Sequence, residues 1–298
     1  MKLGVSIEIQ EGLSYGDTLS LAHTAEEHGY DAALLAEHYR ASGGAEDRFA
    51  ADAWVYLAAL ARDTRRIRLG TLVSPATFRH PSVLAKLAAS LDHLSDGRAE
   101  LGLGAGWLEA EHEAYGFQFA SAKERVDLLE EQLQVIGGLW TGEVFSHAGP
   151  HYRLQECRFT PMPVQEPHPP LIVGGRPASK RMPRLAARYA QEYVVSLPTP
   201  EECESVARVL DGRCRLSVFT YACVAETEAG VDRVLRRTTA GLRPEMQRTE
   251  RWIVGTQSAA SEYLDAMAAA GVSRVFVAVW DEFHHELLQA LAVCQGSG

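Results

Sequence analysis

The sequence predicts an α/β chain folded as a (β/α)8 TIM barrel, with an excursion between the fourth and fifth strands. Three observations carry the prediction. Eight short apolar runs have strand length, helical segments separate them, and 298 residues suit eight such pairs. A doubly wound open sheet, the rival, uses fewer strands and a phosphate fingerprint after its first strand, and none stands there. The chain is read as one domain over residues 1–298.

The first strand covers residues 3–9 (LGVSIEI), and a Gly/Ser turn leads into a helix over 17–28 with Leu19, Ala22 and Ala25 on one face. Strand two, 32–36, runs into EHYR, the loop ASGGAEDR and a helix over 53–62. Strand three, 67–74, is closed by Pro75 and followed by a helix over 81–94, whose early proline gives up a hydrogen bond that no partner would take. Strand four, 99–104, precedes a helix over 122–139. Residues 141–170 carry Gly, Pro, His and Arg with little periodicity, and read as a lid or a linker. PPLIVGG, EYVVS, LSVFTYACVA and RVFVAVW supply the last four strands.

Composition removes several function classes. With 29 Lys+Arg against 39 Asp+Glu the formal charge is −10, so binding to nucleic acid has no electrostatic basis. No segment approaches the roughly 18 uninterrupted apolar residues of a membrane span. The start, MKLGV, lacks the features of a secretory signal, and a cytoplasmic location is expected. Five cysteines, never spaced C-x-x-C, suggest neither a disulfide framework nor a zinc site.

A barrel of this kind works at the C-terminal ends of its strands. That places Glu8, Glu37, His38, Thr71, Ser74, Ala105, Gly106, Trp107, Gly174, Gly175, Arg176, Ser196 and Trp280 at the candidate mouth. His38 beside Glu37 is the candidate proton-transfer group, because a neighbouring carboxylate raises the pKa of an imidazole and orients it. PPLIVGGRPASKRMPR sets two glycines and Arg176 between a strand and a helix expected to begin near Ala178, with Lys180 and Arg181 nearby, which makes an anion site. The glycines of GLGAGW, residues 102–107, either let backbone lie flat against a planar ring with Trp107 as a wall, or pack a barrel corner.

Other patterns fail on position or spacing. GLSYG fits a nucleophile elbow at Ser14, but only one strand precedes it, so a helix capped near Asp17 is the simpler reading. His112-Glu113 begins H-E-x-x-H, but Gly116 stands where the second histidine belongs. His147, His151 and His168 read as surface loop residues, and His284 and His285 as a cap or a solvent face of the last helix. No metal site is expected.

The stretch RIRLGTLVSPATFRHPSVLAKLAASLDHLSDGRAELGLGAGWLEAEHEAYGF resembles the luciferase-like monooxygenase superfamily, in particular its coenzyme F420-dependent oxidoreductases. The likeness continues through ERVDLLEEQLQVIGGLWTGE, HYRL, PVQEPHPPLIVGG and RLAARYA, covering most of residues 1–195. The resemblance implies a flavin-like ring at the barrel mouth, F420 or alternatively FMN. It implies an acid–histidine pair at Glu37 and His38, with Glu in place of the commoner Asp, and a non-prolyl cis peptide best matched to the bond from Thr71 to Leu72. Ser74 would reach the ring edge, Ala105 and Gly106 the ribityl chain, and Gly174, Gly175 and Arg176 the phosphate. Sugar-phosphate dehydrogenases of this group carry a catalytic glutamate where this chain has Trp107, so a small apolar or aromatic substrate is expected. Glu109 and Glu111 are alternative acids of unknown direction. Glu8, Trp107, Ser196 and Trp280 are the expected substrate contacts. Members are commonly homodimers, so a homodimer is expected, and the resemblance allows a separate flavin or F420 reductase as a partner.

Overall fold

The computed structural model describes residues 1–42, 47–240, 247, 249–281 and 283–294. The centre of the loop ASGGAEDR therefore lies outside the described residues. Eight strands close into a parallel barrel in the order β1 (Lys2–Ile7), β2 (Ala32–Leu35), β3 (Arg68–Pro75), β4 (Ala99–Gly104), β7 (Leu171–Gly175), β8 (Glu192–Ser196), β9 (Arg215–Thr220) and β12 (Val272–Val279). All eight expected strands are staves of this barrel. Around them lie α1 (Tyr15–Glu27), α2 (Ala53–Asp63), α3 (Pro81–Leu94), α4 (Glu109–Tyr115), α5 (Ala122–Leu139), α6 (Met182–Tyr189), α7 (Pro200–Leu210), α8 (Glu228–Ala240), α9 (Gln257–Ala269) and α10 (His284–Ala292).

Strand alternation divides the side chains into two sets. Val5, Ile7, Leu35, Leu69, Leu101, Val173, Val195 and Val277 face outward and join the helices in the main core. Ala32, Leu34, Leu72, Ile172, Val194 and Phe276 face inward as one apolar layer. Beneath that layer, at the N-terminal ends of the strands, Arg274 reaches Glu100 at 2.9 Å, Glu192 at 2.6 Å and Asp31 at 2.8 Å. Arg68 joins Glu100 at 2.5 Å. An ionic plug and an apolar layer thus close the barrel below, leaving only the opposite end open for a ligand.

Two sequence expectations need correction here. The apolar run 216–225 is two strands, because β9 leaves the barrel at Tyr221 and β10 (Ala222–Ala225) pairs instead with β11 (Ile253–Thr256). The excursion after α5 also holds an antiparallel hairpin, β5 (Val144–Ala148) and β6 (Arg153–Arg158). Glu131 on α5 accepts the backbone N–H groups of His151 and Tyr152 and contacts His147 at 3.0 Å, while Asp92 on α3 accepts those of Val164 and Gln165. These contacts strap the segment to the outer helices.

The helix starts carry their own explanations. Ser14 caps α1 and forms a reciprocal capping box with Asp17, which corrects the expected cap and absorbs the hydroxyl of the would-be nucleophile. His284 is buried rather than solvent-facing, its ring tilted against Trp280 at 4.6 Å, and its neighbour His285 contacts Thr24 at 2.7 Å. No helix among the described residues is long and apolar enough to cross a membrane.

Candidate active site

Glu37 and His38 follow β2, and strand alternation sends them to opposite sides. Ala32 and Leu34 face the barrel interior, so His38 continues on that side while Glu37 turns outward. Glu37 is 3% exposed and accepts hydrogen bonds from Ser74 and from Trp54 Nε1, the latter at 3.1 Å. Arg79 pairs with it and with Asp52. The expected pairing of His38 with Glu37 is therefore absent.

His38 instead meets Glu111 of α4, with Nδ1 3.0 Å from Oε2. The other oxygen of Glu111 accepts the backbone N–H of Tyr39. Burial works against charge on the ring, but the hydrogen bond and charge of Glu111, together with Glu8 and Glu11, outweigh it. The pKa of His38 accordingly lies above the ordinary imidazole value. Nε2 has no partner among the described residues. Trp107, 48% exposed, stands edge-on to the ring at 5.8 Å.

Glu8 lies just beyond β1, where Ser6 and Gln10 donate to its carboxylate at 2.8 and 2.9 Å. Burial raises its pKa, against those two bonds and the charge of His38.

The cis peptide is the bond from Leu72 to Val73, one residue beyond the expected position. Thr71 still pairs with Leu101 in register, and its hydroxyl donates to the Gly102 carbonyl at 3.0 Å, so the irregularity begins after it. Between Thr71 and Ser74 the register slips against β4, which forms a bulge. The surrounding glycines make room for that bulge. A Cβ on Gly102 would lie 2.0 Å from the Thr71 carbonyl oxygen, and Cβ atoms on Gly104 and Gly174 would lie 2.6 and 3.0 Å from the Val73 side chain. Val73, half-buried, becomes an apolar platform with bare backbone on both flanks. Beyond β4, Ala105 and Gly106 are half-buried, and Gly106 takes a φ of +79°.

The basic segment after β7 is rearranged. The α6 helix begins at Met182 rather than near Ala178, because Pro183 fits a first helical turn but would clash with the preceding turn in a helix begun earlier. Arg181 at its start pairs with Asp127 at 2.7 Å and Glu130 at 3.1 Å on α5. Arg176 and Lys180 stay exposed, with no side-chain partner among the described residues. They adjoin Gly174 and Gly175, at the same end of the barrel as His38.

Opposite lies an aromatic wall that the sequence reading met only through Trp280. Tyr221 packs against Phe219 at 5.7 Å, Trp252 at 4.9 Å and Trp280 at 5.6 Å. Ser196, half-buried, pairs in register with Phe219. Phe219 and Tyr221 were missed because an unbroken apolar run hid where β9 ends, and Trp252 because it precedes β11, a strand the sequence reading did not expect. Tyr221 follows Phe219 by two residues and so points to the same side, which is the signal that was available.

The model for luciferase-like monooxygenases matches residues 1–289. The chain belongs to this family. Over 186 residues this luciferase-like protein is 34% identical to an F420-dependent glucose-6-phosphate dehydrogenase of Microbacterium testaceum, covering 60% of the chain and 52% of that relative. It is 27% identical over 234 residues to an FMNH2-dependent dimethylsulfone monooxygenase of Pseudomonas putida, covering 76% of the chain and 62% of the relative. The chain thus spans about half the length of the first of these curated relatives and under two thirds of the second. An F420-dependent secondary alcohol dehydrogenase in complex with an F420–acetone adduct shares its fold, with a TM-score of 0.81 at 17% identity over 98% of this chain and 97% of that one. Among the described residues no group of three or more His, Cys, Asp or Glu side chains could hold a metal ion.

Proposed function

We propose that this luciferase-like chain is an oxidoreductase that uses coenzyme F420 to move a hydride to or from a small apolar or aromatic substrate. One observation carries the reading. The Val73 platform, flanked by the glycines of β4 and β7, lies at the same barrel mouth as His38, with the unpaired Arg176 and Lys180 after β7. These residues fit a planar ring with an anionic tail. Val73 would face the ring, and Gly104 and Gly174 would leave its flanks clear. Arg176 and Lys180 would hold the phosphate by charge-assisted hydrogen bonds.

F420 supplies the two-electron hydride carrier when bound. The protein supplies the rest. Trp107, Phe219, Tyr221 and Trp280 offer rings and little charge to a substrate, and they exclude water from it. His38 exchanges a proton with the substrate through Nε2, the ring nitrogen that Glu111 does not hold. Glu37 acts indirectly by fixing the Ser74 hydroxyl.

A second reading is an FMN-dependent monooxygenase, favoured by the Pseudomonas putida relative, whose match covers more of this chain. That reading would use the excursion as a lid against water, a role that loses support from the contacts that strap residues 144–165 to α3 and α5. Titrating the protein with F420 and FMN side by side, followed by absorbance and fluorescence, tests the choice. F420 should bind at least tenfold more tightly, whereas tighter FMN binding would transfer the assignment to the second reading. Replacing Arg176 by Ala should weaken the preferred cofactor about tenfold, the worth of one charge-assisted bond. Equal affinity would place the phosphate elsewhere.

A further inference from the structure

We infer that Glu111 is a positioning residue, whose carboxylate keeps a proton on Nδ1 of His38 and turns Nε2 to the mouth as the working nitrogen. A carboxylate only accepts hydrogen bonds, so an Nδ1 held 3.0 Å from Oε2 must carry the hydrogen. Neutral His38 is then a proton acceptor at Nε2, and protonated His38 a donor at the same atom.

The clamp is built from both sides. Glu111 is 1% exposed, and its second oxygen holds the Tyr39 backbone N–H, so it fixes the segment carrying the ring as well as the ring itself. Its own helix is pinned by the next residue. His112 Nδ1 contacts the Leu108 carbonyl at 2.8 Å, which makes that nitrogen the donor, and Nε2 then accepts from the Thr77 hydroxyl at 2.7 Å. Arg40 adds a bond from the β2 side to the Ala110 carbonyl at 3.3 Å. With α4 held at Ala110 and His112, Glu111 leaves His38 only by a side-chain rotation that also gives up the Tyr39 N–H.

The charged groups facing His38 are Glu111 from α4, Glu8 beyond β1 and Glu11 in the turn that follows. Arg48 engages Glu11 at 2.7 Å. Of the three carboxylates Glu111 is the one hydrogen-bonded to the ring, so its charge is the one whose removal should lower the His38 pKa most.

The inference rests on the proposed role of His38, but its test does not need bound cofactor or turnover. Histidine ring 15N spectra of the full chain are recorded across pH for the wild type, for His38→Gln to assign the signal, and for Glu111→Gln. The wild type should show neutral His38 protonated at Nδ1. In Glu111→Gln the His38 pKa should fall by about one unit or more, since an opposite charge in contact is worth 1–3 units, and the pH midpoint of turnover should move with it. A His38 pKa and tautomer unchanged in Glu111→Gln would overturn the inference. Should that variant not fold, the wild-type spectrum still decides, because a resting proton on Nε2 contradicts the clamp. A pKa that moves without any shift in the turnover profile would keep the pairing and remove the proton-transfer role of His38.

Discussion

His38 shows how far a residue's neighbours in sequence differ from its neighbours in space. Glu37 adjoins it in the chain, yet the alternation of β2 sends that carboxylate outward to Arg79, Trp54 and Ser74. Glu111 stands far along the chain, and the fold of α4 brings it to 3.0 Å. Residue type and strand end were enough to select His38; choosing its partner required the direction of each side chain. If His38 handles the substrate proton, His38→Ala should lower kcat about 100-fold while leaving cofactor affinity within a small factor, as expected for the loss of a general acid or base. Steady-state kinetics beside a cofactor titration checks both parts, and undiminished turnover would remove the assignment.

At the level of elements, the glycines of β4 and the bulge of β3 form one unit. Spacing alone left open whether those glycines face a ligand or pack a corner; the bulge shows that Gly102 packs and that Gly104 borders the platform. Gly102→Ala should destabilise the fold by about 1–3 kcal/mol, because its Cβ meets backbone at 2.0 Å and backbone cannot step aside cheaply. Gly137→Ala is the contrast. That glycine lies in α5 with nothing within 4 Å of its Cβ, so alanine should stabilise by about 0.5–1 kcal/mol through helix propensity. Denaturant melts of the two variants should move in opposite directions, and a shared sign would refute the account. Its neighbour Gly138 has a different duty, since a Cβ there would strike the Phe145 ring of the excursion at 2.1 Å. Several helix boundaries were legible from local caps, although the start of α1 was placed two residues late. Pro81–Leu94 and Ala122–Leu139 match the sequence reading, whereas α6 starts later than expected, at Met182, where Pro183 falls in the first turn.

The whole barrel is tied together by buried charge at its closed end, and this gives its stability a pH dependence. Burial works against the Glu100 carboxylate, but the charges of Arg274 and Arg68 overcome it and hold its pKa below the ordinary value. Such a group contributes stability above its unfolded pKa, which is lost as pH falls through the folded one. His284 acts earlier on acidification. Burial lowers its pKa from 6.5 to about 4, so its contribution is complete above the unfolded value and disappears as pH falls through that window. The shift corresponds to a loss on the order of 3 kcal/mol. His284→Gln should flatten the fall in stability across that interval, whatever it does to stability at neutral pH. Urea melts at several pH values check the slope, and an unchanged slope would mean that His284 does not titrate with unfolding.

The sequence by itself determined the eight staves, their order along the chain and the end of the barrel where chemistry can occur. Those properties follow from local apolar runs and from the rule that strand C-terminal ends carry the site. It also determined the residue types available there, His38, Trp107 and the glycine–arginine turn among them. Only the tertiary structure decided that Glu111 rather than Glu37 meets His38, that Arg181 is engaged while Arg176 is not, and that the rings of Phe219, Tyr221 and Trp252 pack together. Each of those outcomes depends on which way a side chain points and on what another part of the chain presents to it. Closure of the barrel fixes both, and no local pattern encodes them.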